Sequence, residues 1–403
     1  MMVGRPMLDA VVVGGGPAGL TAAIALAGAG VPTALIAGRP RPADNRTTAL
    51  LMGSVTALET LGIWDRCRVQ AAPLRVMRIV DDTGRLLRAP EVRFEAHEIG
   101  LEAFGYNIEN RYLIAAMLAL ACEIAALEVI AEDATKVTIG ADAVTVTLES
   151  GETVVARLAV GADGRSSACR AAAGIETERW SYPQAALTVT LRHSRPHHGI
   201  STEFHRPSGP LTLVPLPGQR SSLVFVAEPE EAARFKALPD ADLAAAIEQR
   251  AHSIVGKIAV EPDRGMFPLA VERARTLAAH RVALVGEAGH VIPPIGAQGL
   301  NLGLRDAATV GELVAVAHRQ GRDPGADELT SRYVQMRRAD VTSRTLAVDL
   351  LNRSLLSEFL PLQGARGLGL TLLQHIGPLR RAAMREGVAP AASQPRLMRG
   401  EAL

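Results

Sequence analysis

No charged residue stands between Ala10 and Gly38, a run long enough to span a bilayer. Gly14, Gly15, Gly16, Pro17 and Pro32 cut that run into pieces. The breaks predict a strand at Ala10–Val13, a helix at Pro17–Ala29 ended by Gly30, and a second strand at Thr33–Ile36. A short strand that is apolar throughout belongs in a parallel sheet covered on both faces. Downstream the period changes several times. Asn45–Leu61 predicts a helix preceded by a loop. Leu74–Phe94 alternates and predicts antiparallel strands about a turn at Asp81–Gly84. Asn110–Ile124 predicts a helix, and Val137–Val160 predicts hairpin-like strands with a turn at Ser150-Gly151. Leu158–Ile175 repeats the opening pattern: an apolar strand, a Gly-bearing turn carrying Asp163, then a helix. Ala185–Glu228 alternates with period two, with turns near Pro207–Pro210 and Pro217–Gln219, and predicts one antiparallel sheet. Leu243–Val255 predicts a helix. Glu272–Leu284 leads back to the first architecture, and from Glu312 onward the chain is mostly helical. No internal repeat or low-complexity segment interrupts this order.

The interleaving predicts an α/β fold. It combines a Rossmann-like domain with a parallel sheet, an antiparallel-sheet substrate domain and a helical C-terminal region. The expected divisions are 1–72 with 98–180 and 270–340, then 73–97 with 181–269, then 341–403. A ligand held between the two sheets follows from that arrangement.

Composition narrows the function. The 403 residues suffice for a large core without metals or disulfides. The net charge of +1 argues against nucleic acid or an acidic partner, and aromatics at 3% leave few platforms for stacked bases. Cys67, Cys122 and Cys169 are odd in number and widely spaced, so neither a metal site nor a disulfide framework is expected. A reducing, cytoplasmic compartment is expected, and MMVGRPMLDAVVV lacks the pattern of a signal peptide.

Gly14-x-Gly16-x-x-Gly19 lies at the junction of the first strand and helix. There the first glycine makes the tight turn, the second lets a pyrophosphate approach the backbone, and the third lets helix and strand pack closely. Free N–H groups at the helix start attract phosphate. The alternative is a tight turn that binds nothing. The acid that would hold an adenosine ribose should end the second strand, where "LIAGRP" places Ala37. Asp44 comes later, in a Pro-rich loop, and is not a simple substitute.

"GGGPAG" (Gly14–Gly19), "GADGRSS" (Gly161–Ser167) and "VGEAGHVIPPIGAQGLNLGLRDA" together resemble the FAD-dependent aromatic-ring hydroxylases. The last segment is similar to the ubiquinone-biosynthesis hydroxylase family of the UbiH/UbiF/VisC type. Its signature stands here as Pro294, Gly296, Ala297, Gln298, Gly299, Asn301, Gly303 and Asp306. "RTTALL", "LGIWD", "FGYNIENRYL" and the tail "LLNRSLLSEF" extend the resemblance over essentially the whole chain.

The resemblance implies FAD as cofactor, held by Gly14, Gly16, Pro17, Ala18, Gly19, Arg46, Arg111, Asp163, Gly164, Gly286, Glu287, Pro294, Gly296, Gln298, Gly299, Leu300 and Asn301. Glu287 would bond the ribityl or ribose hydroxyls, one methylene longer than the family's usual Asp. Ala297 replaces a common Gly. Asp163 and Gly164 match a motif shared by FAD and the nicotinamide donor. Pro293–Gly299 would run beside the isoalloxazine ring, and the helix beginning at Gly299–Asn301 would face its N1/O2 edge. Simpler roles compete at several positions. Arg46 can be a solvated charge, Arg111 a partner of Glu109, Asp306 a helix-internal cap or pair, and His290 a structural residue.

By the same resemblance, NAD(P)H is a transient electron donor and O2 the co-substrate. A flavin C4a-hydroperoxide transfers one oxygen to the ring of a polyprenylated phenol in ubiquinone biosynthesis. The chemistry is the cofactor's; no metal or protein nucleophile is required. His290 is the one catalytic candidate. Leu346, Leu350, Leu351, Leu355 and Leu356 recur at helical spacing, followed by Phe359, Leu360, Arg380, Arg381 and Arg385. They suit either a helix packed on the body or a peripheral contact with the inner face of the cytoplasmic membrane. A place in a quinone-biosynthesis complex is also implied. Two alternatives remain: a flavin hydroxylase or reductase for a soluble aromatic or natural product, and a flavin-binding scaffold without turnover.

Overall fold

The computed structural model describes residues 7–39, 46–84, 89–356, 367–388 and 394–403, with the backbone alone of 360–366. Asp44, Asn45 and Phe359, singled out in the sequence, lie outside the described residues.

The first apolar stretch forms the strand Leu8–Val13. It pairs in parallel with Thr33–Ile36 on one side and Thr153–Gly161 on the other. Ala278–Ala279, Val282–Leu284 and Leu127–Ile130 complete that order, with the strands Ala134–Ile139 and Val144–Leu148 added as an antiparallel flap. The helix Pro17–Gly28 buries Gly19 through Ala27 without a break. Such a helix must be covered on every side. Here the sheet lies beneath it, and Asn110–Glu123 and Gln298–Arg319 flank it. A Cβ on Gly311 would sit 3.2 Å from Ala25 Cβ, so the two long helices touch at small residues.

The second sheet has nine strands. His290–Val291, Gly265–Ala274, Thr177–His193, Arg220–Ala227, Leu211–Leu216, Ile200–His205, Val76–Asp81 and Val92–Glu95 follow one another, with Ile258–Val260 beside Thr177–His193. The alternation predicts purely antiparallel pairing, but Ile200–His205 runs parallel to Val76–Asp81. One face packs Leu187, Val189, Phe204 and Phe225 against Phe235, Leu243 and Ile247. These come from the helices Pro229–Ala237, which the alternation does not predict, and Asp240–Arg250, which ends short of Val255. The opposite face gathers Tyr182, Ala186, Val226, Leu269 and Val271 with Trp180, Val224, Phe267 and Leu356.

The helix predicted over Asn45–Leu61 is corrected at its start. Thr47–Leu51 is a strand, paired with Gly105–Glu109 in a three-stranded sheet with Ala71–Pro73, and the helix is Met52–Thr60. The β-branched pair Thr47-Thr48 and the available edge decide for the strand. Three helices, Asp327–Leu356, Leu360–His375 and Gly377–Val388, form the C-terminal region. Among the described residues, no helix is long and apolar enough to cross a membrane.

The segment after Val282–Leu284 matters most. That strand belongs to the parallel sheet, whereas His290–Val291 pairs with Glu272 and Arg273 of the second sheet. The chain passes between the sheets within the motif segment itself, and this positions the site.

Candidate cofactor and active site

Three glycine-bearing corners meet. Gly14 has φ +119°, and a Cβ there would lie 2.2 Å from Ala162 O. Gly19 would collide with Gly14 O at 2.0 Å. These contacts bind the first turn to the Gly161–Ser167 corner and leave no room for side chains. A Cβ on Gly286 would lie 3.2 Å from Ala18 Cβ, and one on Gly303 3.0 Å from Gly286 Cα, which brings in the third corner. Gly16 differs: a Cβ there would have nothing within 4 Å. It begins the helix with Pro17 in the first turn, where N–H groups lack intrahelical partners. Open space at that point, ringed by positions with none, leaves room for an anionic group against the helix start.

The second corner is braced from within. Asp163 accepts bonds from Ser167 Oγ at 2.5 Å and Cys169 N–H at 3.0 Å, and Ser167 caps the short helix Ala168–Ala172. Gly164 follows with φ +77°. Arg170 donates to Ala288 O at 2.8 Å and Arg165 O at 2.6 Å, tying this corner to the Gly286–Ala288 turn. Glu287 stands on that turn, exposed, and Arg165 reaches it at 3.3 Å and 3.4 Å. A long, exposed pair of this kind leaves the carboxylate open to a hydroxyl.

Asp306, fully buried, holds the turn and the following loop together. Its Oδ2 accepts Gly286 N–H at 3.1 Å and meets His290 Nε2 at 2.6 Å, while Oδ1 accepts Arg337 Nε–H at 2.7 Å. Burial alone would raise the Asp306 pKa. The charges of His290 and Arg337 overcome it and hold the carboxyl at about 2. Asp306 is therefore more than the helix-internal cap weighed in the sequence. His290, the catalytic candidate, is 3% exposed, and its Nε2 meets Asp306. Its geometry makes it a positioning residue. Arg337, the third member, was missed, because no local spacing links it to a loop some forty residues upstream.

The Pro/Gly loop then turns into the helix Gln298–Arg319 through Ala297, whose φ of +54° is a region that favours glycine. Pro294 and Gly296 are exposed, and Gln298, Gly299 and Leu300 are half-buried. Gln298 Nε2 donates to Gly296 O at 3.0 Å, leaving its buried Oε1 without a partner. An orphaned acceptor beside exposed loop backbone fits a ligand that brings a donor. Asn301 is different. Its side chain accepts from Leu51 N–H and Ser54 Oγ and donates to Ala49 O and Ala297 O. With all four bonds used, only its backbone is left for a cofactor.

Arg46 and Arg111 flank the paired ends Thr47 and Glu109. Arg46 is exposed, and its carbonyl accepts Asn110 N–H at 2.9 Å. Arg111 donates to buried Glu109 at 2.8 Å and lies 4.8 Å from the Tyr112 ring centroid. Glu109 also takes Arg220 at 3.1 Å, so both arginines serve one acid. On the second sheet, Trp180 Nε1 and Tyr182 OH both donate to Asp349, which Arg353 also engages. These residues carry no motif and were not legible in the sequence.

Comparison with known proteins agrees with this geometry. Residues 7–346 match the FAD binding domain family. The chain is 36% identical over 405 residues to the ubiquinone hydroxylase UbiL of Rhodospirillum rubrum, covering 97% of this chain and 92% of that one. It is 29% identical to the 3-demethoxyubiquinol 3-hydroxylase of Escherichia coli, covering 93% and 96%. The crystal structure of p-nitrophenol 4-monooxygenase PnpA from Pseudomonas putida superposes with a TM-score of 0.78 at 18% identity, covering 94% of this chain and 97% of that chain. That likeness confirms the α/β architecture with its parallel and antiparallel sheets.

Proposed function

We propose that this chain, which belongs to the FAD-dependent ubiquinone-hydroxylase family, hydroxylates the aromatic ring of a polyprenylated phenol or quinol. The protein is an FAD-dependent aromatic hydroxylase. Bound FAD, reduced by NAD(P)H, supplies the activation of O2 and the transfer of one oxygen atom to the ring.

The protein's own part is placement. Gly14, Gly16, Pro17, Ala18 and Gly19 form the pyrophosphate cradle. Asp163 and Gly164 brace it, Gly286 and Glu287 serve the ribityl hydroxyls, and Arg46 and Arg111 border the flavin. The loop Pro294–Gly299, with Leu300 and the backbone of Asn301, would hold the ring. We assign 1–72, 98–180 and 270–340 to the cofactor domain, 73–97 and 181–269 to the substrate domain, and 341–403 to the helical region. One observation carries the assignment: the motif segment leaves the parallel sheet at Val282–Leu284 and joins the second sheet at His290–Val291. The loop after it thus leaves the second sheet, one face of which carries Tyr182, Phe267 and Leu269, and leads into the helix Gln298–Arg319 that packs on Pro17–Gly28.

A greasy substrate is favoured over a soluble one by the surface. Of ten exposed large apolar side chains among the described residues, seven lie between Leu346 and Leu379. We read them as a peripheral contact with the membrane that stores such substrates, on the cytoplasmic side. A place in a quinone-biosynthesis complex rests on the family resemblance alone. Incubation with FAD, NAD(P)H, labelled O2 and tailed or tail-less quinols tests the function. One labelled oxygen in the product, with the tailed substrate preferred, is expected. NAD(P)H oxidation without label in the ring defeats it.

A further inference from the structure

The second strand of the parallel sheet ends at Ile36 and Ala37 follows it, so the usual place for a ribose-binding acid holds a methyl group. The neighbouring strand, Leu127–Ile130, supplies a carboxylate at that place. Its continuation stays in register with the strand end: Ala37 N–H donates to Ile130 O at 2.9 Å, and Gly38 N–H to Glu132 O at 3.1 Å. Gly38 has φ +76°, and a Cβ on it would lie 2.6 Å from Asp133 Oδ1. The Asp133 carboxylate thus fills the volume a side chain at position 38 would take. The glycine turn abuts the same spot, since a Cβ on Gly15 would lie 2.4 Å from Ala37 O. Cradle, strand end and carboxylate are contiguous.

Position, not availability, sets Asp133 apart from its neighbours, since its carboxylate is the one that lies against Gly38. Glu132 Oε2 accepts Ser150 N–H at 3.0 Å, and Glu149 pairs with Arg39. An ionised carboxylate has about four acceptor positions, so Asp133 can keep a protein partner and still take ribose hydroxyls. We propose that Asp133 holds the adenosine ribose of FAD, replacing from the adjacent strand the acid absent at Ala37. Gly38 is then required because any side chain would displace that carboxylate. The inference rests on FAD binding as assigned above.

The test uses the full-length apoprotein, titrated with FAD and with its 2′-deoxyadenosine analogue, binding being read from the change in flavin fluorescence. Loss of a charge-assisted hydrogen bond should weaken FAD binding by about tenfold or more in D133A. The wild type should lose a similar factor on the deoxy analogue, and D133A should lose almost nothing further. The double variant D133A/A37E, with the acid restored to the strand end, should regain FAD affinity. Apoprotein melting temperatures check that each variant folds. Equal FAD affinity in D133A and wild type, or no discrimination between FAD and the deoxy analogue by the wild type, overturns the assignment. Wild-type protein that binds neither ligand overturns the FAD reading itself, a separate result.

Discussion

Asn301 and Ser54 meet across 247 residues of chain: Ser54 Oγ donates to Asn301 Oδ1 at 2.7 Å in a buried site. The same oxygen accepts Leu51 N–H at 2.8 Å, and the amide nitrogen donates to Ala49 O at 2.8 Å. One carboxamide thus fastens the helix after the flavin loop to the strand Thr47–Leu51. Asn301→Ala leaves Leu51 N–H buried and unpaired, at about 1–3 kcal/mol, and takes the partner from the half-buried Ala49 O as well. Asn301→Asp keeps both acceptors but loses both donors and buries a charge. Both variants should unfold at markedly lower urea, with FAD affinity falling as a consequence. Unchanged stability with weakened FAD binding would show that the side chain serves the cofactor directly.

Gly16 and Gly14 should separate binding from folding. A Cβ on Gly16 has open space and an ordinary φ of −74°, so Gly16→Ala should leave the apoprotein's melting temperature unchanged and reduce flavin content. Gly14→Ala forces a contact at 2.2 Å with Ala162 O at φ +119°, and should lower apoprotein stability itself. Flavin absorbance per chain, set beside thermal melts of the apoproteins, makes the comparison. Full flavin content in Gly16→Ala would remove the cradle assignment.

The sequence shows the three corners because each is local: an apolar strand, a glycine turn and a helix start within about twenty residues. Leu8–Val13, Pro17–Gly28 and Thr33–Ile36 therefore fall where the pattern places them. What it hides is long-range pairing. Thr47–Leu51 reads as the start of a helix until Gly105–Glu109 offers it an edge. His290 reads as either a structural residue or a catalytic one, and its partner Asp306, which also holds Arg337, lies too far along the chain for local spacing to show. Asp133 carries no motif at all, since its meaning depends on the residues Ala37 and Gly38 that follow a neighbouring strand.

The Asp306 cluster makes a pH prediction. Its carboxyl is held at about 2 against an ordinary 3.8, with burial opposing and the His290 and Arg337 charges prevailing. A lowered folded-state pKa contributes stability that is full above the unfolded value and fades as pH falls toward the folded one. The contribution, about 2 kcal/mol, should be complete above about pH 5 and lost between about pH 4 and 2. Asp306→Asn should lower stability at neutral pH and flatten this acid limb. Unfolding free energies measured from pH 7 downward check both. An acid limb of the same steepness in Asp306→Asn would place the titration elsewhere.

The surface of the C-terminal helices yields the last prediction. Leu355 is buried, while Leu346, Leu350 and Leu351 are exposed, so the leucine series divides between packing and solvent. Leu368, Leu372, Ile376 and Leu379 extend the exposed part, and Leu368 is 61% exposed. The inner side of Gly377–Val388 is anchored, with Met384 and Val388 packed near Phe104 and Arg380 bonded to Glu98 at 2.6 Å. From Leu360 to Arg385 the chain has four arginines and no acid, against a net +1 for the whole. Arg381 and Arg385 then suit anionic headgroups, at about 1 kcal/mol each near such a surface. The protein should sediment with phosphatidylglycerol vesicles and much less with phosphatidylcholine vesicles, and high salt should release it. Leu368→Gln/Leu372→Gln/Ile376→Gln should weaken binding to both vesicle types, and Arg381→Gln/Arg385→Gln only to the anionic one. Wild-type protein that ignores anionic vesicles, or forms a dimer that the triple variant dissolves, would give this face to a second copy of the chain instead.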